Sequence, residues 1–382
     1  MPTKIIFGKD VENQTGEETA LFSKRVLLHH SGGHALKSGL LDRVKESLKK
    51  AGVEWVELGG VVPNPRLSLV YKGIEIAKKE KLTLILAVGG GSVIDSAKAI
   101  AMGAVDEGDV WDFFMQKRTP AGALPVATVL TIPAAGSESS NSTVITNEEG
   151  SLKQAVGSAS IIPVFSILNP ELSYSLPAFQ TACGVSDMMA HIYERYFTKE
   201  PNVELTDEMS EAVLRTIIRN ARRIFSDGEK DYAARAEIML AGAVAHNGLL
   251  GTGRVEDWSS HLIGHEISAL YDTAHGASLS IVFPAWMKYT LGEDPKRLAR
   301  FAAKVWGVDG AYYDYEQAAL EGIRRMKDFY RSIGLPVSFA DAKIETARLG
   351  EMAKRVVKFG AIGSYKKLEE KDIEAIYRIA AE

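Results

Sequence analysis

The sequence predicts a two-part protein: an α/β N-terminal domain on a Rossmann-like, mostly parallel sheet, followed by an all-α C-terminal domain that binds a metal. Three observations carry this. Up to about residue 178, short apolar runs alternate with amphipathic stretches and glycine-rich turns, whereas beyond it only long helical patterns continue. A chain of 382 residues is also longer than one hydrophobic core usually organises. The expected domains are therefore 1–178 and 179–382.

In chain order, RVLLHH (25–30), EWVELGG (54–60) and LTLILAV (82–88) read as strands, and KSGLLDRVKESLKKAG (37–52), PRLSLVYKGIEIAKKE (65–80) and GSVIDSAKAIAMGA (91–104) as helices between and after them. Strand alternating with helix implies crossover connections and a parallel sheet covered on both faces. Downstream, DEMSEAVLRTIIRNARRIF, DYAARAEIMLAGAVAHNGLL and YEQAALEGIRRMKDFYRSIG each repeat apolar residues at helical spacing. No internal repeat or low-complexity linker separates the halves, so close packing is expected, with a site where they meet.

The third strand runs into Gly89, Gly90 and Gly91, with Ser92 expected at the N-cap of the next helix. Bare backbone there lets a phosphate approach, and the helix N-terminus offers N–H groups and a positive dipole end. A pyrophosphate suits such a turn, although a tight strand-to-helix connection needs glycine in any case. Further on, Thr131, Ser137, Glu138 and Ser140 in LTIPAAGSESSNSTVIT follow another strand and offer hydroxyl donors to a cofactor, or ordinary loop chemistry.

The second half supplies metal chemistry. Asp187 and His191 are four apart, as are His261 and His265, and His275 follows closely. On a helix such pairs share a face with Cβ atoms roughly 6 Å apart, the geometry of a chelate. Imidazoles with one carboxylate suit Fe2+ or Zn2+, whereas Ca2+ and Mg2+ want an oxygen-rich shell. A lone buried histidine is more often a core residue, but four of the chain's eight histidines fall in these two segments.

Composition narrows the partners. A net charge of −4 with no basic run gives no electrostatic case for nucleic acid or an acidic membrane surface. No apolar run approaches a membrane span, and MPTKIIFGKD is too weak for a signal peptide, so a cytoplasmic location is expected. The single cysteine, Cys183, reads as a small packed residue in a reducing compartment.

Together, VGGGSVIDSAKAIA, TIPAAGSESS, DMMAH and HLIGH followed by His275 and Gly276 resemble the iron-containing (group III) alcohol dehydrogenases, over nearly the whole chain. DWSSHLIGHE and HGASLSIVFPAWMKY are most similar to the butanol dehydrogenase and broad-range aldehyde reductase branch. The resemblance implies a nicotinamide dinucleotide, a homodimer, a small alcohol or aldehyde substrate, and Asp187, His191, His261 and His275 as ligands to Fe2+, with Zn2+ as the alternative ion. It places Asn64 near the adenosine and adds Asp95, Lys153, Leu172 and Leu176 to the cofactor-contacting set. Two departures stand out: Ala274 where many members carry proline, and Leu279 where they carry asparagine. Glu138 and Glu194 match family glutamates and read as hydrogen-bonding anchors.

An ion of this kind would polarise a carbonyl or acidify an alcohol, while the nicotinamide exchanges hydride with the substrate carbon. His265, which resembles a family histidine beside the nicotinamide, is the candidate proton carrier; packing against the cofactor ring is its other reading. NAD-preferring sites usually end the second strand with a carboxylate, whereas here Ser31, Gly32, Gly33 and His34 follow RVLLHH. That turn favours NADP(H), with NAD(H) as the alternative. Two other functions are weighed. A dehydroquinate synthase-like or glycerol dehydrogenase-like enzyme shares the architecture, but a synthase needs basic residues where this chain offers Trp258, Leu262, Ile263, Leu270 and Tyr271. A zincin-type hydrolase fails because His265-Glu266 lacks its second histidine.

Overall fold

The computed structural model describes residues 2–33, 37–150, 152–226, 228–310 and 314–382. Of the residues singled out above, His34 lies outside this set. The chain forms two compact units, Met1–Ser175 and Leu176–Glu382.

In the first unit, strands β1 (Lys4–Phe7), β2 (Arg25–His30), β3 (Glu54–Leu58), β4 (Leu84–Gly89), β5 (Val126–Leu130) and β8 (Phe165–Leu168) form one sheet in the order β1-β8-β5-β4-β2-β3. Every pairing in it is parallel. The central strands LILAVG and VATVL are buried at every residue, as expected where helices cover both faces. The connecting helices are α1 (Leu40–Lys50), α2 (Leu67–Lys79) and α3 (Gly91–Ala104). Strands β6 (Ser142–Asn147) and β7 (Leu152–Gly157) make a separate antiparallel hairpin, which together with the short edge strand β1 the sequence patterns did not announce.

The strand order locates a ligand site. From β2 the chain moves outward to β3, and from β4 it moves the opposite way to β5, while β2 and β4 are paired neighbours. Their C-terminal ends therefore diverge at a topological switch point, where open α/β sheets bind ligands. Those ends are the turns at Ser31–Gly33 and Gly89–Gly91.

The second unit is helical: α4 (Ala178–Tyr196), α5 (Glu204–Ser226), α6 (Tyr232–His246), α7 (Ser259–Tyr271), α8 (His275–Thr290), α9 (Pro295–Trp306), α10 (Tyr315–Ser332), α11 (Leu349–Val356) and α12 (Glu370–Ala381). Helix α8 is buried from Gly276 to Met287 and so forms the middle of the bundle, whereas α5, α9 and α10 keep a polar face outward. Among the described residues, no helix is long and apolar enough to cross a membrane.

Candidate metal and dinucleotide sites

Helices α4, α7 and α8 bring the expected metal donors together. Ligand-capable atoms of Asp187, His191 and His261 all lie within 4.8 Å of one another, and all three residues are buried. His275, the first residue of α8, places its Nε2 3.8 Å from Asp187 Oδ1, the same separation as His261 Nε2. In a tetrahedral shell with bonds of about 2.1 Å, neighbouring donor atoms sit roughly 3.4 Å apart, so small rotations would close this set on one ion.

Hydrogen bonds fix the tautomers. His191 Nδ1 lies 2.8 Å from the Asp187 backbone carbonyl, which can only accept, so Nδ1 carries the proton and Nε2 the lone pair. His261 Nδ1 donates to Glu194 Oε1 at 2.8 Å, which again leaves Nε2 as the lone-pair nitrogen. His261 Nε2 and Asp187 Oδ1 are then two buried acceptors facing each other without a hydrogen-bond partner. Such a pair is repulsive unless a proton or cation lies between the atoms, and this donor set fits a borderline divalent ion.

The electrostatics agree. Burial opposes charge on Asp187, yet His191, together with His261 and His275, outweighs it and holds the carboxyl well below the usual carboxylate range. Burial lowers the pKa of His191. Burial opposes charge on His261 too, but the neighbouring Asp187 and Glu194 carboxylates prevail and raise its pKa. The proton thus goes where a cation is wanted.

Around this set lies a layer that sequence spacing only partly revealed. Glu194, 1% exposed, accepts from the backbone N–H of His261 and of Trp258 as well as from the His261 ring. Arg195 donates to the His191 carbonyl and to His246 Nδ1, pairs with Glu256, and stacks on Trp258. His246 and Trp258 in turn pack edge-on against the His191 ring. Arg195 and His246 went unnoticed in the sequence. The one signal was that Arg195 follows His191 by a helical turn, so its side chain can reach back along α4. Trp258 adopts φ +66°, a left-handed conformation that is strained for so bulky a residue. Of the expected apolar lining, Ile263 is fully buried in the helical core and cannot line a pocket, whereas Leu262 is exposed and Leu270 and Tyr271 are half-buried. His265 is half-buried, its ring 5.0 Å from that of His275.

In the first unit, the α3 N-cap is Gly90, with Ser92 in the first helical turn rather than at the cap. The glycine turn and the hydroxyl-rich loop adjoin. Thr131 N–H donates to Gly89 O, and a Cβ on Gly90 would meet the Ile132 side chain at 3.0 Å. Ser31, Gly32 and Gly33 follow β2 with Ser31 exposed and Gly32 at φ +87°. Asn64 accepts from Lys153 Nζ at 3.1 Å. Leu172 packs against the sheet core, and Leu176, half-buried, begins the second unit. Asp95, Ser137 and Ser140 are bonded within the fold: Ser137 Oγ donates to Asp95 Oδ1, Val144 N–H donates to Oδ2, and Lys98 reaches both serines.

Residues 2–170 match the model of iron-containing alcohol dehydrogenase, and residues 181–381 that of the C-terminal part of the same family. The chain belongs to the iron-containing alcohol dehydrogenase family. The class expected from the sequence, a metal-dependent oxidoreductase using a nicotinamide dinucleotide, is the class of this family. The chain is 43% identical to the probable NADH-dependent butanol dehydrogenase 1 of Bacillus subtilis, covering 99% of this chain and 97% of the relative. It is 34% identical to the NADPH-dependent aldehyde reductase YqhD of Escherichia coli, covering 94% and 92%. The crystal structure of NADH-dependent butanol dehydrogenase A from Thermotoga maritima superposes with a TM-score of 0.95 at 41% identity, covering 100% of this chain and 97% of that one.

Proposed function

We propose that this member of the iron-containing alcohol dehydrogenases interconverts small primary alcohols and aldehydes of the butanol/butanal type, at an Fe2+ ion held by Asp187, His191, His261 and His275. The observation that carries the assignment is the pair of buried, partnerless acceptors Asp187 Oδ1 and His261 Nε2, with two further imidazoles converging on them. Zn2+ would accept the same donors. When bound, the ion supplies Lewis-acid polarisation of the substrate oxygen, and the nicotinamide supplies or takes up hydride. Asp187 contributes the only formal negative charge among the four donors. Glu194 holds the His261 ring in the tautomer that presents Nε2, and Trp258 gives an apolar wall beside His191 and His261. His265 carries the proton that the reaction consumes or releases.

The dinucleotide would lie across the switch point, its pyrophosphate at the Gly90–Gly91–Ser92 turn and its adenosine ribose near Ser31–Gly33. With no carboxylate in residues 31–33 to repel a 2'-phosphate, the enzyme takes NADPH as well as NADH. Relatives named for each cofactor are consistent with that reading. A cytoplasmic homodimer completes the proposal, and light scattering tests the dimer. The decisive experiment is anaerobic reconstitution with Fe2+ and assay of NAD(P)H oxidation. Turnover with butanal, and none with a phosphorylated heptulosonate, is expected; the reverse result would move the protein to the synthase class. His265→Ala should keep its metal and lose rate with an altered pH profile, while loss of metal would make His265 a ligand.

A further inference from the structure

Among the described residues, Lys98 is the only lysine whose side chain is fully buried, with 0% exposure on helix α3. Its ammonium lies within hydrogen-bond distance of five acceptors, all in one short segment: the carbonyls of Ser137, Ser140 and Ser142 at 2.6, 2.9 and 2.9 Å, and the hydroxyls of Ser137 and Ser140 at 3.1 and 3.2 Å. One turn earlier on the same helix, Asp95 takes the Ser137 hydroxyl and the Val144 N–H, and the Thr143 hydroxyl donates to the Asp95 carbonyl. Helix α3 therefore grips residues 137–144 through an anion and a cation at successive turns. The same helix begins at the glycine turn, and the loop after β5 packs against that turn through Ile132 and Ala135.

We propose that Lys98 is a positioning residue for dinucleotide binding, an internal cation that gathers three carbonyls and two hydroxyls and so locks the Thr131–Ser142 loop to the Gly90–Ser92 helix start. The inference rests on the assignment of that turn to the dinucleotide. An ammonium has three protons, so five acceptors share them, and no neutral side chain of similar length can hold all five. Burial lowers the Lys98 pKa to about 8, against the pull of Asp95 and Glu138, so the side chain remains charged at neutral pH. A loop freed from this point would widen the gap between the hydroxyl-rich segment and the glycine turn, and grip on a ligand decays steeply with such displacement.

The test uses the full-length enzyme loaded with Fe2+ and titrated with NADPH and with NADH, binding being read by nucleotide fluorescence below the lowest Tm of the set. Lys98→Met should weaken dinucleotide binding about tenfold or more, raise KM for the dinucleotide, and leave metal content and KM for butanal unchanged. Lys98→Gln, which keeps N–H donors without the charge, should fall between and serves if the methionine variant does not fold. A lower Tm with unaltered dinucleotide affinity in either variant would overturn the inference and leave Lys98 a purely structural cation. Gly91→Asp, which sets a negative charge at the helix start, separates the two readings. Unchanged affinity in Gly91→Asp removes the dinucleotide assignment itself, whereas weakened binding there with normal binding in the Lys98 variants removes only the role of Lys98.

Discussion

Gly276, immediately after candidate ligand His275, is where helices α4 and α8, which carry three of the four candidate donors, meet backbone to backbone, and adding one methyl group there should open the site. A Cβ built on Gly276 would stand 2.0 Å from the carbonyl oxygen of Cys183 and 2.6 Å from its carbonyl carbon and Cα, all of them backbone atoms of α4 that no rotamer change can move. Ordinary contact begins near 3.4 Å, so α4 and α8 would have to part by about 1.4 Å. Asp187 lies one turn beyond Cys183 on α4, so the separation passes directly to the Asp187–His275 distance. That distance would grow from 3.8 Å to roughly 5 Å, beyond the span of donors sharing one ion. Overpacking should cost about 1–3 kcal/mol, or about 2–12 °C in Tm for a unit of this size, and a displaced ligand should lower iron affinity about 10- to 100-fold. Gly322→Ala is the control, because its Cβ would meet Ala302 at 2.5 Å between α9 and α10, with none of the metal donors on either helix. Iron content after anaerobic dialysis against a competing chelator, read beside Tm for both variants, decides the matter. If Gly276→Ala loses stability like Gly322→Ala but retains iron as firmly as the parent, the reasoning fails.

Four other substitutions test neighbouring steps. His261→Ala should abolish tight metal binding, whereas Glu194→Gln, which weakens the bond orienting His261, should reduce affinity about 10- to 100-fold with the helices intact by circular dichroism; equal affinities in parent and Glu194→Gln would remove its orienting role. Ser31→Asp should lower kcat/KM with NADPH roughly ten- to a hundredfold relative to NADH, from about 1 to 3 kcal/mol of like-charge repulsion; an unchanged ratio would mean that this turn does not face the ribose. Glu138 is 1% exposed, and burial raises its carboxyl from 4.5 to about 7. A raised acid favours the protonated folded state, so its contribution is complete below pH 4.5 and is lost as pH rises to about 7. On the order of 3 kcal/mol is at stake. Glu138→Gln should therefore be more stable than the parent at pH 8 and similar at pH 4.5, and parallel urea midpoints across that range would contradict the burial argument.

Much of this architecture was legible because periodicity and burial coincide. Strand β4 is a continuous apolar run, and Asp187 and His191 sit one helical turn apart; that His261 and His275, which arrive on two other helices, join them came from the family resemblance rather than from spacing. What escaped notice depended on distant partners. Lys98, in SAKAIAMGA, looks like the polar face of an amphipathic helix, and only a loop some forty residues later makes it a buried cation. His246 has no ligand-type neighbour in sequence; its place beside His191 follows from how α6 packs on α4. Strand β1 has only four residues at a sheet edge, too few for an alternation to be recognised. Ser92 was displaced from the cap because Gly90, in an extended conformation, already closes the turn.

The left-handed backbone at Trp258 sets a trap for anyone who would make this enzyme more robust. A bulky residue at φ +66° carries on the order of 1–3 kcal/mol of local strain, so Trp258→Gly is the change a search for thermostability would favour at this position. The same indole fills the space beside His191, His246 and His261 and covers the Arg195 guanidinium. A relaxed main chain would then come with a wet, loosened donor set, so selection for heat resistance alone would drift toward sturdy proteins that no longer hold iron.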